Sequence, residues 1–330
     1  MSNMNILLLC GGGSSEHEVS LVSANYLEQQ LNQTDGFNVI RVEIQSSGWF
    51  LASNNHPCQF SLDGTLTGLS DGTVNIDYII PCLHGFPGET GDIQSLFELA
   101  QVPYLGCDAE SSVHSFNKIT SKLWYDALEI PNTPYVFLTE NTTASYEKAH
   151  NALNQWGALF VKAACQGSSV GCYRVTNKTE LQDAVEKAFG FSEQVLVEKA
   201  VKPRELEVSA YEFNGELFIT KPGEVSCPDG VFYTYEEKYS STSHSTTSLE
   251  AEGLTQEQLE KIEHYARKVF VQMKLKDLSR IDFFLTEDNE IFLNEVNTFP
   301  GMTPISMFPK LLEHNGHDFK EFLAQAVRRK

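Results

Sequence analysis

The sequence predicts a chain of mixed α/β and α+β class, and three observations carry that expectation. At 330 residues the chain exceeds the size at which one hydrophobic core stops growing, so two or three units sharing clefts are expected. The first hundred residues alternate short apolar runs with helical patterns, the order that builds a parallel sheet. From residue 205 onward hairpin signals dominate, which points to antiparallel pairing.

Residues 6–10 are a continuous apolar run and read as a buried strand; a helical pattern over 20–31 follows, then strands over 39–44 and 78–82. Together they make an N-terminal parallel α/β unit. Between 54 and 75 the chain is rich in Gly, Ser, Thr and Asp, with a weak apolar segment at 62–69, and reads as a loop with at most a small hairpin. A helix follows Asp92, because Ile93, Leu96, Phe97 and Ala100 recur at helical spacing, and Pro103 stops it. A second unit opens at Asn117 with a helix to Leu128, ended by Ile130 and Pro131. It continues through strands near 158–163, 173–175 and 194–198, with a helix over 180–189 packed between them. A third opens at Glu205 with a strand over 207–213, the turn pair Asn214 and Gly215, and a strand over 216–220. The expected boundaries are 1–116, 117–204 and 205–330. The tract 240–248, dense in Ser and Thr, reads as a mobile loop.

Composition excludes several classes. Apolar and charged fractions of 41% and 21% are those of folded globular proteins, and no run of about 18 apolar residues exists to span a bilayer. Residues 1–5 lack a basic region and the run 6–10 is too short for a signal-peptide core, so the chain is expected to stay in the cytoplasm. A formal charge of −20 repels a phosphate backbone, so no nucleic-acid partner is expected. Seven scattered cysteines without a C-x-x-C pair read as reduced, mostly buried thiols.

Segments 279–286 and 290–297 are rich in β-formers and flank Asp288 and Asn289, so a tight hairpin is expected there. With those two residues as the turn, cross-strand partners sum to 577, which sets Asp282 opposite Glu295 and Arg280 opposite Asn297. Partners share a face. Arg280, Asp282, Glu295 and Asn297 therefore converge, while Ile281, Phe283, Leu285, Phe292 and Val296 point to the opposite, apolar side. Two carboxylates and an amide oxygen suit a hard cation such as Mg²⁺, which completes its octahedron with phosphates and water. The same pattern also fits a solvent-facing, salt-bridged hairpin. Directly after it, the tight loop 297–303 offers backbone N–H groups, that of Gly301 above all, to a developing oxyanion.

The segment QGSSVG (166–171) joins two strands and is not a Walker loop, which would run Gly-Lys-Ser/Thr into a helix. It fits a hairpin closing over phosphates, its small residues allowing close approach of backbone N–H groups. Lys162 before it and Lys118 on the preceding helix are candidate point charges for phosphate. Three glycines at 11–13 lack G-x-G-x-x-G spacing, which argues against a dinucleotide fold.

Taken together the chain resembles the ATP-grasp D-alanine:D-alanine ligases, in matching order from residue 6 to beyond 320. The residues that carry the resemblance are GGGSSEHEVS (11–20), LHGFPGETG (83–91), NKITSK (117–122), GSSVG (167–171), Lys238 with Tyr239, RID (280–282) and NEVNTFPGMT (294–303). The resemblance implies an ATP-grasp fold: an N-terminal parallel α/β domain and two subdomains that clamp ATP.

It further implies that Lys118, Lys162 and the loop serines Ser168 and Ser169 hold ATP phosphates, that Glu198 and the backbone near Val201 hold adenine, and that Glu205 binds ribose. Asp282, Glu295 and Asn297 would ligate Mg²⁺ or Mn²⁺, two ions per site. Glu16 would receive the ammonium of the first D-alanine and His84 approach its carboxylate, with Ser306 and the Met307 amide on the second carboxylate. Ser168 and Tyr239 would link to Glu16, Lys238 would sit in a loop closing over the γ-phosphate, and Arg280 with Gly301 would face the tetrahedral oxyanion. The family reaction runs through an acyl phosphate to D-alanyl-D-alanine for peptidoglycan, and homodimers are expected by analogy. Relatives carry proline after the phosphate lysine, where this chain has Ala163; His17, inside the first motif, is assigned no role. Two alternatives stay open: a D-alanine:D-lactate ligase, which Tyr239 after Lys238 disfavours, and a non-catalytic ATP-binding module.

Overall fold

The computed structural model describes residues 3–70, 72–226 and 246–329. Strands β1 (Met4–Gly11), β2 (Phe37–Gln45), β3 (Gly48–Leu51), β4 (His56–Phe60), β5 (Thr65–Leu69), β6 (Gly72–Asn75) and β7 (Tyr78–Pro81) form one sheet in the order β6-β5-β4-β3-β2-β1-β7. Only β2, β1 and β7 are parallel; from β3 outward the sheet is an antiparallel meander. The segment read as a loop is therefore three short strands, and β3 was not expected at all. Strands of four or five residues with polar composition lack the run length that periodicity needs. Helix α1 (His17–Leu31) covers one face and α2 (Asp92–Ala100) belongs to the core on the other.

Helix α3 (Ala109–Phe116) starts on Asp108, whose carboxylate accepts the Ser111 N–H at 2.8 Å; its serine-rich sequence carries little apolar signal and gave no expectation. Helix α4 (Lys118–Ala127) starts on Asn117, whose side chain accepts the N–H groups of Ile119 and Thr120. Strands β8 (Tyr135–Leu138), β9 (Leu159–Ala163), β10 (Cys172–Val175) and β11 (Val195–Lys199) make a fully antiparallel sheet ordered β10-β9-β11-β8. Helices α5 (Thr143–Trp156), unanticipated along with β8, and α6 (Lys178–Phe189) seal one face with Ala149, Leu153, Leu181 and Val185. On the other face Ile119 of α4 meets Ala164 and Leu196.

The last sheet joins β12 (Pro203–Phe213), β13 (Glu216–Ile219), β14 (Gly223–Ser226), β15 (Thr246–Ser248), β16 (Leu278–Thr286) and β17 (Ile291–Asn297). The tract expected to be a mobile loop lies outside the described residues up to 245, and 246–248 are β15. Helix α7 (Gln256–Gln272) buries Ile262, Ala266, Val269 and Phe270 against Ile281, Phe283 and Val296. Helices α8 (Met307–His314) and α9 (Phe319–Arg328) turn the other way: Phe308, Phe319 and Phe322 pack into one core with Ile6, Leu8 and Ile80. The first and last sheets are thus tied through a shared interior.

The hairpin β16–β17 pairs Arg280 with Asn297 and Asp282 with Glu295, the register expected at that end. Nearer the tip the pairing is Phe283 with Leu293 and Leu285 with Ile291, one residue out of step. The turn has three residues, 287–289, closed by Thr286 N–H on Glu290 O, with Asn289 left-handed at φ 63°. Asn294 is the compensating extra residue, a β-bulge that restores the count before the site. One side-chain assignment changes with it: Phe292 pairs with Phe284 on the Asp282 face and is partly exposed, while Ile291 and Leu293 take the buried side.

Candidate active site

The three sheets converge on a cavity of about 530 Å³. Glu16 and His84 reach it from the first, Lys118 and Ser168 from the second, and Arg280, Glu295, Asn297, Gly301, Ser306 and Met307 from the third.

Its floor is a sheet face. Register sets Glu207 on β12 beside Asp282 and Glu205 beside Phe284, so Glu205, Glu207, Asp282, Glu295, Phe284 and Phe292 share one side. Arg280 forks onto both oxygens of Asp282 at 2.8 and 2.7 Å, and its Nε lies 3.2 Å from Glu207. Burial alone would lower the guanidinium's pKa, but these carboxylates outweigh it and raise it further, so Arg280 is a fixed positive charge. Asn297 donates its amide to Asp282 Oδ2 at 3.0 Å, and Lys118 Nζ stands 4.0 Å from Glu295. Among the described residues no group of three His, Cys, Asp or Glu side chains converges on a metal position. The expected set has two carboxylates and one amide. All three are hard oxygen donors on one face, each carboxylate oxygen has a second lone pair, and an amide turns its oxygen inward by rotation, so the residues fit a magnesium-type ion that borrows phosphate oxygens.

Opposite this face stands Glu16, buried at the start of α1, between Gly85 and Gly167. A Cβ at either glycine would come within 2.9 Å of its carboxylate. Ser168 donates its hydroxyl to Glu16 Oε1 at 2.6 Å. The loop that brings it there is a tight turn closed by Val170 N–H on Gly167 O, with Ser168 and Ser169 both left-handed at φ 49° and 62°. Two non-glycine residues in that conformation cost roughly 1–2 kcal/mol each. Such strain at a hydroxyl-bearing loop tip is characteristic of functional turns. Ser169 is exposed, and Lys118 anchors the loop by donating to Gln166 O at 2.7 Å.

His84 is buried, its Nδ1 3.2 Å from Phe299 O and its Nε2 3.1 Å from Ser23 Oγ. A carbonyl only accepts, so Nδ1 carries the proton; Nε2 accepts from Ser23, whose oxygen in turn accepts the Met302 N–H at 3.3 Å. Burial lowers the ring's pKa and keeps it neutral. Both ring nitrogens are thus engaged in ordering the 299–302 loop, and His84 still lines the cavity. Glu89, which no reading of the sequence singled out, accepts from Gly85 N–H at 2.9 Å and Phe299 N–H at 3.3 Å. Burial first and the charge of Glu16 second push its carboxyl up to about 7. Gly301 sits where a Cβ would meet Ser306 Oγ at 2.9 Å, and that hydroxyl accepts the Thr303 N–H at 3.1 Å.

Lys162, Glu198, Val201 and Glu205 lie beyond the cavity lining. Glu198 is buried with one oxygen 2.5 Å from Lys122 Nζ and the other 2.5 Å from Lys162 Nζ. Burial would raise its pKa, yet the two ammonium groups hold it down at about 2. The Lys162 ammonium has its pKa raised, because the Glu198 carboxylate outweighs the effect of burial, while burial lowers that of Lys122. The structure therefore points Lys162 at Glu198, and Lys122, unassigned in the sequence reading, completes the triad. Lys238 and Tyr239 lie outside the described residues. Glu207 and Lys122 gave no signal of their own, since their importance comes from pairing with segments distant in sequence.

The chain is similar to known proteins over nearly its whole length. The family model described as D-ala D-ala ligase N-terminus matches residues 5–107, and that described as D-ala D-ala ligase C-terminus matches 123–328. A D-alanine--D-alanine ligase of Aliivibrio fischeri is 67% identical over 325 residues, 98% of each chain. The crystal structure of D-alanyl-alanine synthetase A from Vibrio cholerae O1 biovar eltor superposes with a TM-score of 0.95 at 64% identity, covering 99% of this chain and 98% of that one. VanG D-Ala:D-Ser ligase from Enterococcus faecalis superposes at 0.86 and 29% identity, covering 99% of each. With both family models matched in order and relatives this similar over nearly its whole length, the chain belongs to the D-alanine--D-alanine ligase family.

Proposed function

We propose that this chain condenses two D-alanine molecules into D-alanyl-D-alanine, converting ATP to ADP and phosphate by phosphoryl transfer to the first D-alanine, as a supply step for peptidoglycan in the cytoplasm. The observation that carries the reading is one cavity in which a carboxylate post, an oxyanion pocket and a set of hard oxygen donors face each other. The three units 1–116, 117–204 and 205–330 supply these parts in turn.

Glu16, oriented by Ser168, takes the ammonium of the first D-alanine. Neutral His84 and Glu89 border its carboxylate by ordering the loops beneath it. That carboxylate attacks the γ-phosphorus, ADP leaves, and an acyl phosphate remains. Lys118, Lys162 and the loop serines Ser168 and Ser169 neutralise and cover phosphate, with Lys238 and Tyr239 assigned to the closing segment. Glu198, Val201 and Glu205 take base and ribose along the edge marked by Phe284 and Phe292. Asp282, Glu295 and Asn297 would hold Mg²⁺ or Mn²⁺, two ions in all, whose chemistry here is neutralisation of phosphate charge.

The second D-alanine binds its carboxylate at Ser306 and the Met307 amide, and its amine attacks the acyl carbonyl. Arg280 and the Gly301 N–H stabilise the resulting oxyanion until phosphate departs; one such donor is worth roughly a hundredfold to a thousandfold in rate. Positioning and charge neutralisation supply most of the catalysis. A homodimer belongs to the same proposal and is checked by sedimentation.

The deciding assay mixes the protein with ATP, Mg²⁺ and D-alanine, with or without D-lactate or D-serine, and identifies the products. Dipeptide of D-alanine alone is expected. Depsipeptide or D-alanyl-D-serine in preference overturns the acceptor assignment, and absence of D-alanine-dependent phosphate release leaves a nucleotide-binding module.

A further inference from the structure

Helix α8 enters the cavity end-on. Its N-cap, Ser306, is extended at φ −67° and ψ 146°, and its hydroxyl caps none of the first-turn amides, being turned to Thr303 instead. Lys310, one turn further on, also lines the cavity. Its N–H faces Ser306 O at 3.4 Å, so the two residues stack on the same helical face. Side chains on a helix lean toward its N-terminus, which carries the Lys310 stem back over Ser306 and Met307.

The charges of the cavity show what this ammonium is for. Arg280 is committed to Asp282 and Glu207, and Lys118 to Gln166 O with Glu295 alongside. His84 is neutral, both ring nitrogens engaged. Lys310 differs: among the described residues no carboxylate pairs with it, although the chain carries 44 acidic residues against 24 basic ones. A cavity-lining ammonium that no carboxylate among the described residues pairs with, one turn past the helix start at Ser306, is a counter-charge for a small anionic group.

We propose that Lys310 is a specificity-determining residue that recognises the carboxylate of the second, accepting amino acid and selects acceptors with a free carboxylate over their amides. The assignment rests on the ligase reading above. It goes beyond the Ser306 and Met307 contacts by adding a full charge, which an amide cannot satisfy.

The test uses the full-length protein with ATP, Mg²⁺ and D-alanine as donor, comparing D-alanine with D-alaninamide as acceptor. Lys310→Met, similar in volume but uncharged, is expected to raise KM for acceptor D-alanine about tenfold, the size of one charge-assisted contact. KM for ATP and use of D-alaninamide should change less than about threefold, so the acid-over-amide preference collapses. Lys310→Arg should keep that preference. Equal losses with both acceptors mark a structural role and overturn the proposal, as does an unchanged preference in Lys310→Met. Wild-type protein that forms no dipeptide overturns the ligase reading itself, and this one with it.

Discussion

Replacing Glu198 with glutamine removes the single negative charge between two buried lysines, and the consequence for stability follows from the geometry. Each carboxylate oxygen is 2.5 Å from an ammonium, and the group is 3% exposed, so solvent screens little of the interaction. In the fold its pKa falls from 4.5 to about 2. At 1.36 kcal/mol per tenfold in proton affinity, ionised Glu198 contributes about 3 kcal/mol. Because the folded value is depressed, this contribution is fully present above pH 4.5 and is lost as pH falls toward 2. Removing one member of a buried ion cluster costs roughly 3–5 kcal/mol, in the same range. Thermal unfolding of Glu198→Gln at pH 7 should therefore show a midpoint lower by about 6–10 °C for a cooperative unit of a few hundred residues. Between pH 7 and pH 3 the gap from wild type should narrow by about 2 kcal/mol, as wild type gives up its own advantage. Equal midpoints at pH 7, or a gap that stays constant on acidification, would refute the reasoning.

Asp282→Asn should cut turnover severely and raise the Mg²⁺ concentration needed for half-maximal residual activity more than tenfold in a metal titration, since one of two carboxylate ligands is gone while Arg280 keeps Glu207; undiminished turnover removes the metal assignment. Ser168→Ala deletes the 2.6 Å hydrogen bond to Glu16, so kcat/KM for the first D-alanine should fall roughly tenfold to a hundredfold with an unchanged melting curve. A loss below twofold would show that Glu16 needs no such support. Glu89 has the opposite pH behaviour from Glu198. Its folded pKa, raised from 4.5 to about 7, gives stability that is present below pH 4.5 and lost as pH rises through 7. Glu89→Gln should therefore gain on wild type by up to about 3 kcal/mol in unfolding free energy between pH 5 and pH 8.5, and a pH-independent difference would contradict the shift.

Much of the site was legible in the sequence because a strand's two-residue period translates spacing into sidedness. That is why Arg280, Asp282, Glu295 and Asn297 could be brought together on paper. Glu16 and Ser306 became visible only through resemblance, since nothing local distinguishes them from surface residues, whereas Ser168 stood out within the small-residue loop 166–171 but its partner Glu16 did not. Glu207 stayed hidden because its place beside Asp282 depends on pairing between β12 and β16, strands some seventy residues apart, and such pairing leaves no local trace. The meander β3 to β6 was missed for want of length, and α3 because a short helix with three serines, a glutamate and a histidine lacks an apolar stripe. Lys122 reads as one more lysine on an amphipathic helix until β11 delivers Glu198 to it.

The bulge at Asn294 makes the hairpin keep two separate counts, one for the tip and one for the site. Lengthening or shortening the turn at 287–289 alters only the first count, as a slack rope takes up a change at its free end. Loss of Asn294 would straighten the strand but leave Glu295 opposite Asp282, whereas loss of Val296, past the bulge, would bring Asn297 into its place opposite Ile281 and thrust an amide into the core beneath α7. Length variation in this family member is thus tolerable at the hairpin's end and at the bulge but lethal between the site's own residues, which identifies the tip as the place to attach a label or a tag.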